Sequence, residues 1–388
     1  MLAVRANWVE GRVENLAVEL RRPTVTRLFI GQLPDAVVKT VPYLYTLCAE
    51  AQRTAAQCAV AAARGESPLP ADDRALWLEL LHENLWRLLL DWPSALGLAK
   101  EKDAFIEWRA ERQGDKGLAV TQRVLANTLR PLSEKCLERL GCVRSNRRDC
   151  VCWHGMVAKA RGAGNGCSIP EPSNASDRPC QQTRRASAWR GALPRYRSLV
   201  QITARRERRL ALPPRETLAQ PVAYCEHTLM HRSSAAMPVT GFDAEGWLAF
   251  WRGEADHRPA IVGPSCVAAA YRARLADVER AVAALAERAP YPIVHAGGQG
   301  WGVGQVLTAR GVLTHAIHVV EGLVANYRVQ APTDGFFANA APLAALLVER
   351  TFADAEAARQ GIEQAILALD PCLPYELVVC LANSEHES

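Results

Sequence analysis

Asp370, Pro371 and Cys372 stand together in ILALDPCLPYELVVC, residues 366–380, directly after a stretch with helical periodicity. A thiol in a rigid Asp-Pro turn suits three roles: packing as a small hydrophobe, reacting as a nucleophile, or ligating a soft metal. Nothing local decides among them. The densest local set of metal-ligand types is CVCWH, with Cys150, Cys152 and His154. Structural zinc sites space cysteines as C-x₂₋₄-C and add a second pair downstream. Cys142, Cys167 and Cys180 lie around this cluster at irregular intervals, so a loop outweighs zinc. GGQGWGVG (297–304) is glycine-rich like a phosphate cradle. It lacks both the Gly-Lys-Ser/Thr ending of a P-loop and G-x-G-x-x-G spacing, and reads as a turn-rich loop. ARRERR (204–209) has the charge to grip phosphates but no interleaved aromatics, and reads as a solvated charge run. His315 and His318 fall on opposite faces of a strand-like stretch, which argues against their ligating one metal together.

The chain has 388 residues, of which 49% are hydrophobic and 22% charged. That is an ordinary globular balance with ample material for a core. No apolar run reaches the ~18 residues that a membrane span needs. Charges run through the opening residues MLAVRANWVEGRVENL, so no secretory leader is expected and the expected setting is the cytoplasm. Twelve cysteines there are expected to be core residues, ligands or reactive thiols rather than a disulfide framework. The net charge of +5 is uneven. Residues 141–220 hold fifteen arginines and one lysine against five acids, or +11, which leaves about −6 elsewhere. A basic surface is therefore not a property of the whole chain, and no nucleic-acid partner is expected.

The elements that must position these residues fall into two ordered zones. After a short extended start, PTVTRLFIG (23–31) has the β-branched content of a strand ending at Gly31. YLYTLCAEAQRTAAQCAVAAARG (43–65) predicts an alanine-rich helix capped at Gly65. PADDRALWLELLHENLWRLLLDWP (70–93) predicts a core helix broken by Pro93. Residues 141–235 have no sustained period, and read as an insertion, a loop or a segment translated out of frame. Order returns with a helix over 265–289, a hairpin turning at Glu321-Gly322 within 315–333, and a helix over 353–370 that delivers Cys372. The plan is α+β: one domain, mainly helical, with a small antiparallel β element.

Together these segments resemble the large subunit of nickel–iron hydrogenases. That family carries an amino-terminal C-G-x-C-x-x-x-H box and a carboxyl-terminal D-P-C-x-x-C box, whose four thiolates hold the metals. ALDPCLPYELVV resembles the second box, with Asp370, Pro371 and Cys372 in place and Tyr375 at its second cysteine. YTLCAEAQRTAA resembles the first, with Cys48 on its second cysteine, Tyr45 on the first and Gln52 on the histidine. TARGVLTHAIHVVEGLVANYRVQAPT resembles the family's A-P-R-G segment and the hairpin that follows it. This implies that Arg310 lies over diatomic ligands of iron, with Pro332 and Thr333 lining the same pocket. LFIGQLPDAVVKTVPYLYTLC resembles the approach to the first box; residues 141–235 resemble nothing in the family.

The departures bear on function. With tyrosine at two of four thiolate positions, nickel would lose half its ligands. Thr26 replaces the family's proton-handling glutamate, and a hydroxyl of such high pKa cannot relay protons as a carboxylate does. Hydrogen turnover, and enzymatic activity generally, are not expected. Two retained cysteines resemble the HupK/HoxV accessory proteins. That implies Cys48 and Cys372 as metal ligands for a transiently held Fe(CN)2CO unit, without nickel, beneath a hydrogen-bonding Arg310. The implied partners are a HypC-type chaperone, the HypC–HypD complex and the hydrogenase large-subunit precursor. A metal-free interaction protein, a degenerate subunit that binds the same partners, is the alternative.

Overall fold

The computed structural model describes residues 1–21, 25–141, 241–261 and 263–381. The CVCWH cluster, ARRERR and most of the basic stretch lie outside them. The described residues form β1 (Leu2–Val9) and β2 (Arg12–Leu20), a 3₁₀ turn at Val25–Phe29, α1 (Pro34–Leu44), a second 3₁₀ turn at Thr46–Cys48 and α2 (Ala49–Arg64). Next come α3 (Asp73–Trp86), a π turn at Arg87–Asp91, α4 (Trp92–Ala95), α5 (Lys102–Glu111), α6 (Gly117–Val124), a second π turn at Leu125–Leu129 and α7 (Arg130–Arg139). The later part holds α8 (Ala244–Arg252), α9 (Val267–Glu287), β3 (Ile293–Gly298), β4 (Trp301–Thr308), β5 (Gly311–Val320) and β6 (Leu323–Gln330). It closes with α10 (Pro332–Phe336), α11 (Ala341–Ala345), α12 (Ala355–Leu369) and β7 (Tyr375–Leu381).

This is the expected α+β plan, with more β structure than the sequence suggested. One sheet, ordered β2-β1-β7, pairs β1 antiparallel with β2 and parallel with β7, so the two ends of the chain share a sheet. Leu2, Val4 and Ala6 alternate inward from β1 into the main core. The other sheet is antiparallel, in the order β3-β4-β5-β6. Its β5–β6 turn is the expected Glu321-Gly322, with both residues at positive φ (52° and 77°), as a two-residue hairpin requires. The largest buried side chains join the helices. Trp92 meets Tyr271 of α9 edge-on with centroids 5.3 Å apart, and Trp108 is fully buried.

Three local readings are corrected. Residues 25–29 form a 3₁₀ turn rather than a strand, because only Phe29 has somewhere to go: it packs edge-on against Tyr327 at 5.1 Å while Leu28 and Ile30 stay exposed. Pro93 does not end the core helix. The π turn at Arg87–Asp91 absorbs the lost backbone bond, and Pro93 sits in the first turn of α4. The alanine-rich helix begins at Ala49, after α1 and a 3₁₀ turn, and ends as expected at Gly65 in the left-handed region.

A further correction concerns GGQGWGVG, which is the β3–β4 hairpin. Its glycines do not cradle phosphate; they let α2 lie directly on β4. A Cβ on Gly302 would fall 1.9 Å from the carbonyl oxygen of Ala59, and one on Gly304 would fall 2.2 Å from that of Ala55. Both obstacles are backbone, so no rotamer change relieves them. Alanines on the helix and glycines on the strand thus set the distance between the start of α2, which holds Cys48, and the end of β4, which leads to Arg310. Gly302→Ala is expected to cost about 3 kcal/mol or more through overpacking, read as a lowered urea midpoint. A loss below about 0.5 kcal/mol would contradict the direct-contact account.

Candidate functional site

Cys48 occupies the N-cap position of α2, yet its sulfur makes no capping bond. Glu79 of α3 supplies that bond instead, accepting the backbone N–H of Glu50 at 2.8 Å and of Ala51 at 3.0 Å. The thiol is thereby left facing a small pocket with Glu79, Glu83, Tyr291, Thr308 and Arg310 in its wall. Burial, then the charge of Glu79, push the Cys48 thiol up to about 12, against the opposing pull of Arg310 and a hydrogen bond from Gln52. Burial also pushes Glu79 up to about 7, although the two amides oppose it.

Cys372 reaches the site from the other end of the chain. Asp370 ends α12 in the left-handed region, at φ 49°, with its N–H bonded to the carbonyl of Ile366 at 2.9 Å. Pro371 follows, and the turn sets Cys372 with its sulfur 3.4 Å from Thr333 Oγ1. Pro332 opens α10, where its missing N–H costs nothing, and packs 3.2 Å from the position a Cβ on Gly311 would take. Gly311 lies beside Arg310, so the hairpin turn and α10 hold each other in place.

Arg310, 5% exposed at its side chain, shares the pocket of Cys48 and stands near enough to Cys372 for either sulfur, once ionised, to favour its charge. It donates from Nη2 to Glu83 Oε2 at 2.8 Å, and its Nε lies 3.3 Å from Asp370 Oδ2. Asp370 itself, 1% exposed, gathers three arginines from distant elements. Arg87 Nε donates to its Oδ1 at 2.6 Å, and Arg274 Nη2 of α9 lies 2.7 Å from its Oδ2. The Arg274 and Arg310 contacts to Oδ2 are ion pairs off the hydrogen-bonding angle, since that oxygen has no aligned donor. Arg87 also donates to the Pro371 carbonyl at 3.0 Å and pairs with Asp91. Arg274 donates to Asn84 Oδ1 at 3.0 Å. Three guanidiniums thus face three carboxylates, of Asp370, Glu83 and Asp91. Burial alone would push the Asp370 carboxyl up, but Arg274, Arg310 and Arg87 hold it well below the usual carboxylate range. Arg310 is held above its ordinary value for the reciprocal reason, against its own burial.

Cys48, Cys372, Arg310, Pro332 and Thr333 therefore converge on one region, although Cys372, Pro332 and Thr333 do not line the small pocket beside Cys48. Tyr45 packs on the cluster of Phe29, Val37, Val41 and Tyr327. Tyr375 starts β7, among the charges of Glu363, Asp91, Arg87 and Arg359. Thr26 lies in the Val25–Phe29 turn. Among the described residues, no group of three or more His, Cys, Asp or Glu is placed to hold a metal ion. The arrangement brings two thiols, which are soft donors, and a buried guanidinium into one region. His315 is fully buried, whereas His318 stacks on Trp301 at 4.0 Å, so the two do face opposite ways. Cys380 in β7 is disulfide-bonded. Sequence reasoning missed Glu79, Glu83, Arg87 and Arg274, and gave Asp370 no role.

Removing the Asp370 charge leaves three buried guanidiniums with one partner fewer. Asp370→Asn is expected to cost about 3–5 kcal/mol in urea unfolding, and a loss under about 1 kcal/mol would remove Asp370 from the centre of the network. His315 gives a pH dependence. Burial lowers its pKa to about 3, while an unfolded histidine binds its proton near ~6.5. The unfolded state therefore binds more protons between these values, and stability is lost as pH falls below about 6.5, by at most ~1.4 kcal/mol per pH unit. His315→Gln should flatten that part of the stability–pH curve; an unchanged slope would show His315 protonated in the fold.

Comparison with known proteins follows the same lines. No family model matches the chain. It is 27% identical to hydrogenase expression/formation protein HupV of Azotobacter chroococcum mcd 1, over 97% of this chain and 98% of that one. It is 25% identical to hydrogenase expression/formation protein HupK of Azotobacter vinelandii over the same shares. Identity with hydrogenase expression/formation protein HoxV of Cupriavidus necator is 26%, covering 99% and 98%. Among solved structures, a [NiFeSe] hydrogenase chain from Desulfovibrio vulgaris Hildenborough aligns over 96% of this chain and 98% of that one, at 11% identity and a TM-score of 0.49. Over nearly its whole length, the chain is thus similar to hydrogenase expression/formation proteins named HupV, HupK and HoxV.

Proposed function

We propose that this protein acts in the formation of nickel–iron hydrogenase as a non-catalytic scaffold that transiently carries an Fe(CN)2CO unit on Cys48 and Cys372. The full-length relatives, each named for hydrogenase expression or formation, support the general role. One observation carries the specific one: two cysteines 324 residues apart lie near the same buried arginine, which lines the pocket of Cys48. An iron that brings three diatomic ligands of its own needs few from the protein, so a two-thiol site fits this cargo better than it fits a bare ion. Nickel would need the thiolates that Tyr45 and Tyr375 replace. Arg310 is suited to donate to a cyanide nitrogen.

The thiol chemistry favours release as well as capture. With its pKa pushed up to about 12, Cys48 is protonated until a cation arrives, so binding must displace a proton. That cost weakens holding, which suits a carrier. The partners of such a carrier are a HypC-type chaperone or HypC–HypD complex as donor and the hydrogenase large-subunit precursor as acceptor, in the cytoplasm. No described helix is long and apolar enough to cross a membrane.

The second reading is a metal-free interaction protein, a degenerate subunit that binds the same partners without a cofactor. Infrared spectra of protein purified without oxygen from a maturation-competent host separate the readings. The carrier predicts CO and CN stretches with iron and no nickel, and their loss in Cys48→Ala and Cys372→Ala. Bands that survive in both variants would remove the ligand assignment. Absence of bands from fresh, partner-bound protein would leave the metal-free reading.

A further inference from the structure

A line of polar side chains runs from Cys48 into the core. Gln52, one helical turn along α2, places Nε2 3.6 Å from Cys48 Sγ. Its Oε1 lies 2.8 Å from His315 Nε2, and His315 Nδ1 lies 2.5 Å from Tyr327 Oη. Gln52, His315 and Tyr327 are 2%, 0% and 2% exposed. Their surroundings are apolar, with Phe29, Ala56, Ala59, Ile317 and Val324 in the adjoining cluster. A buried polar line of this kind is stable only when every donor meets an acceptor.

The orientation of the Gln52 amide, nitrogen toward sulfur, sets its direction. An amide oxygen only accepts, so the nitrogen facing it, His315 Nε2, must carry the hydrogen. Burial keeps the ring neutral, with a single N–H. Nδ1 therefore accepts, and the Tyr327 hydroxyl donates to it. The Gln52 amide nitrogen is left to face sulfur. In the opposite arrangement every bond reverses: Cys48 gives its S–H to the amide oxygen, Gln52 donates to Nε2, and Nδ1–H points at Tyr327. A sulfur that has lost its proton has no hydrogen to give, so only the first arrangement serves a thiolate.

We infer that His315, locked by Tyr327, is a positioning residue that fixes the Gln52 amide so that an N–H, and not a carbonyl, faces the Cys48 sulfur. The inference rests on the proposed carrier role only for why an acceptor sulfur matters. The relay presents a hydrogen-bond donor to the Cys48 sulfur from within α2.

Long-range ¹H–¹⁵N correlation on iron-free, full-length protein labelled at histidine reads the tautomer directly, with His315 assigned by the peak lost in His315→Phe. The Nε2–H tautomer is expected; an Nδ1–H tautomer would reverse the amide and overturn the inference. A second readout is the rate at which iodoacetamide alkylates Cys48 at one fixed pH, followed by peptide mass spectrometry. Gln52→Met fills the space without the donor and should slow alkylation about tenfold, the effect of one pKa unit. Tyr327→Phe should slow it less while mixing the His315 tautomers. An unchanged rate in folded Gln52→Met would overturn the inference, and the wild-type tautomer decides it if that variant does not fold. Both readouts use iron-free protein, so their failure is separable from failure of the iron reading.

Discussion

A single buried carboxylate with three guanidiniums around it holds this molecule's parts in register. Asp370 is one residue from the end of α12, Arg87 lies in the π turn after α3, Arg274 lies on α9 and Arg310 lies in the β4–β5 turn. None of these charges could be buried alone without a penalty of several kcal/mol. Together with Glu83 and Asp91 they balance, so each element is constrained to the place where its charge is matched. A left-handed residue at the helix end, then proline, turns that constraint into a direction for Cys372. The Arg87 bond to the Pro371 carbonyl fixes the turn from behind.

A second constraint works without charge. The alanines of α2 rest on the glycines of β4, which sets how far Cys48 stands from the Arg310 turn. Because Glu79 caps α2 from α3, the sulfur at the N-cap is spared that duty. Electrostatics brings one thiol to the arginine and close packing brings the other. The tyrosines of the two cysteine-bearing segments are engaged elsewhere, Tyr45 in an apolar cluster and Tyr375 among charges beside Arg87.

Much of the site was legible as spacing within motifs: Asp-Pro-Cys, the cysteine before an alanine-rich helix, the arginine before a hairpin, and Pro-Thr after it. The hairpin at Glu321-Gly322 was legible because its turn needs particular residues. The carboxylate–arginine network was not, since Arg87 and Asp370 are 283 positions apart and periodicity reports only near neighbours. The glycines of β4 were misread for a related reason. Close approach of a helix to a strand removes side chains, and in one dimension that looks like a loop. Residues 25–29 had the composition of a strand, yet the backbone bonds to β6 are made just beyond them, between Val324 and Gly31 and Gln32, which composition does not reveal.

The central claim is that Cys48 and Cys372 jointly hold iron. Iron-edge X-ray absorption on protein isolated with its cargo tests it most directly, by counting sulfur neighbours. The account predicts two sulfurs with short, light-atom neighbours from the diatomic ligands, and one sulfur in either Cys48→Ser or Cys372→Ser where iron is retained. An iron with no sulfur neighbours, or a sulfur count unchanged by both substitutions, would contradict it.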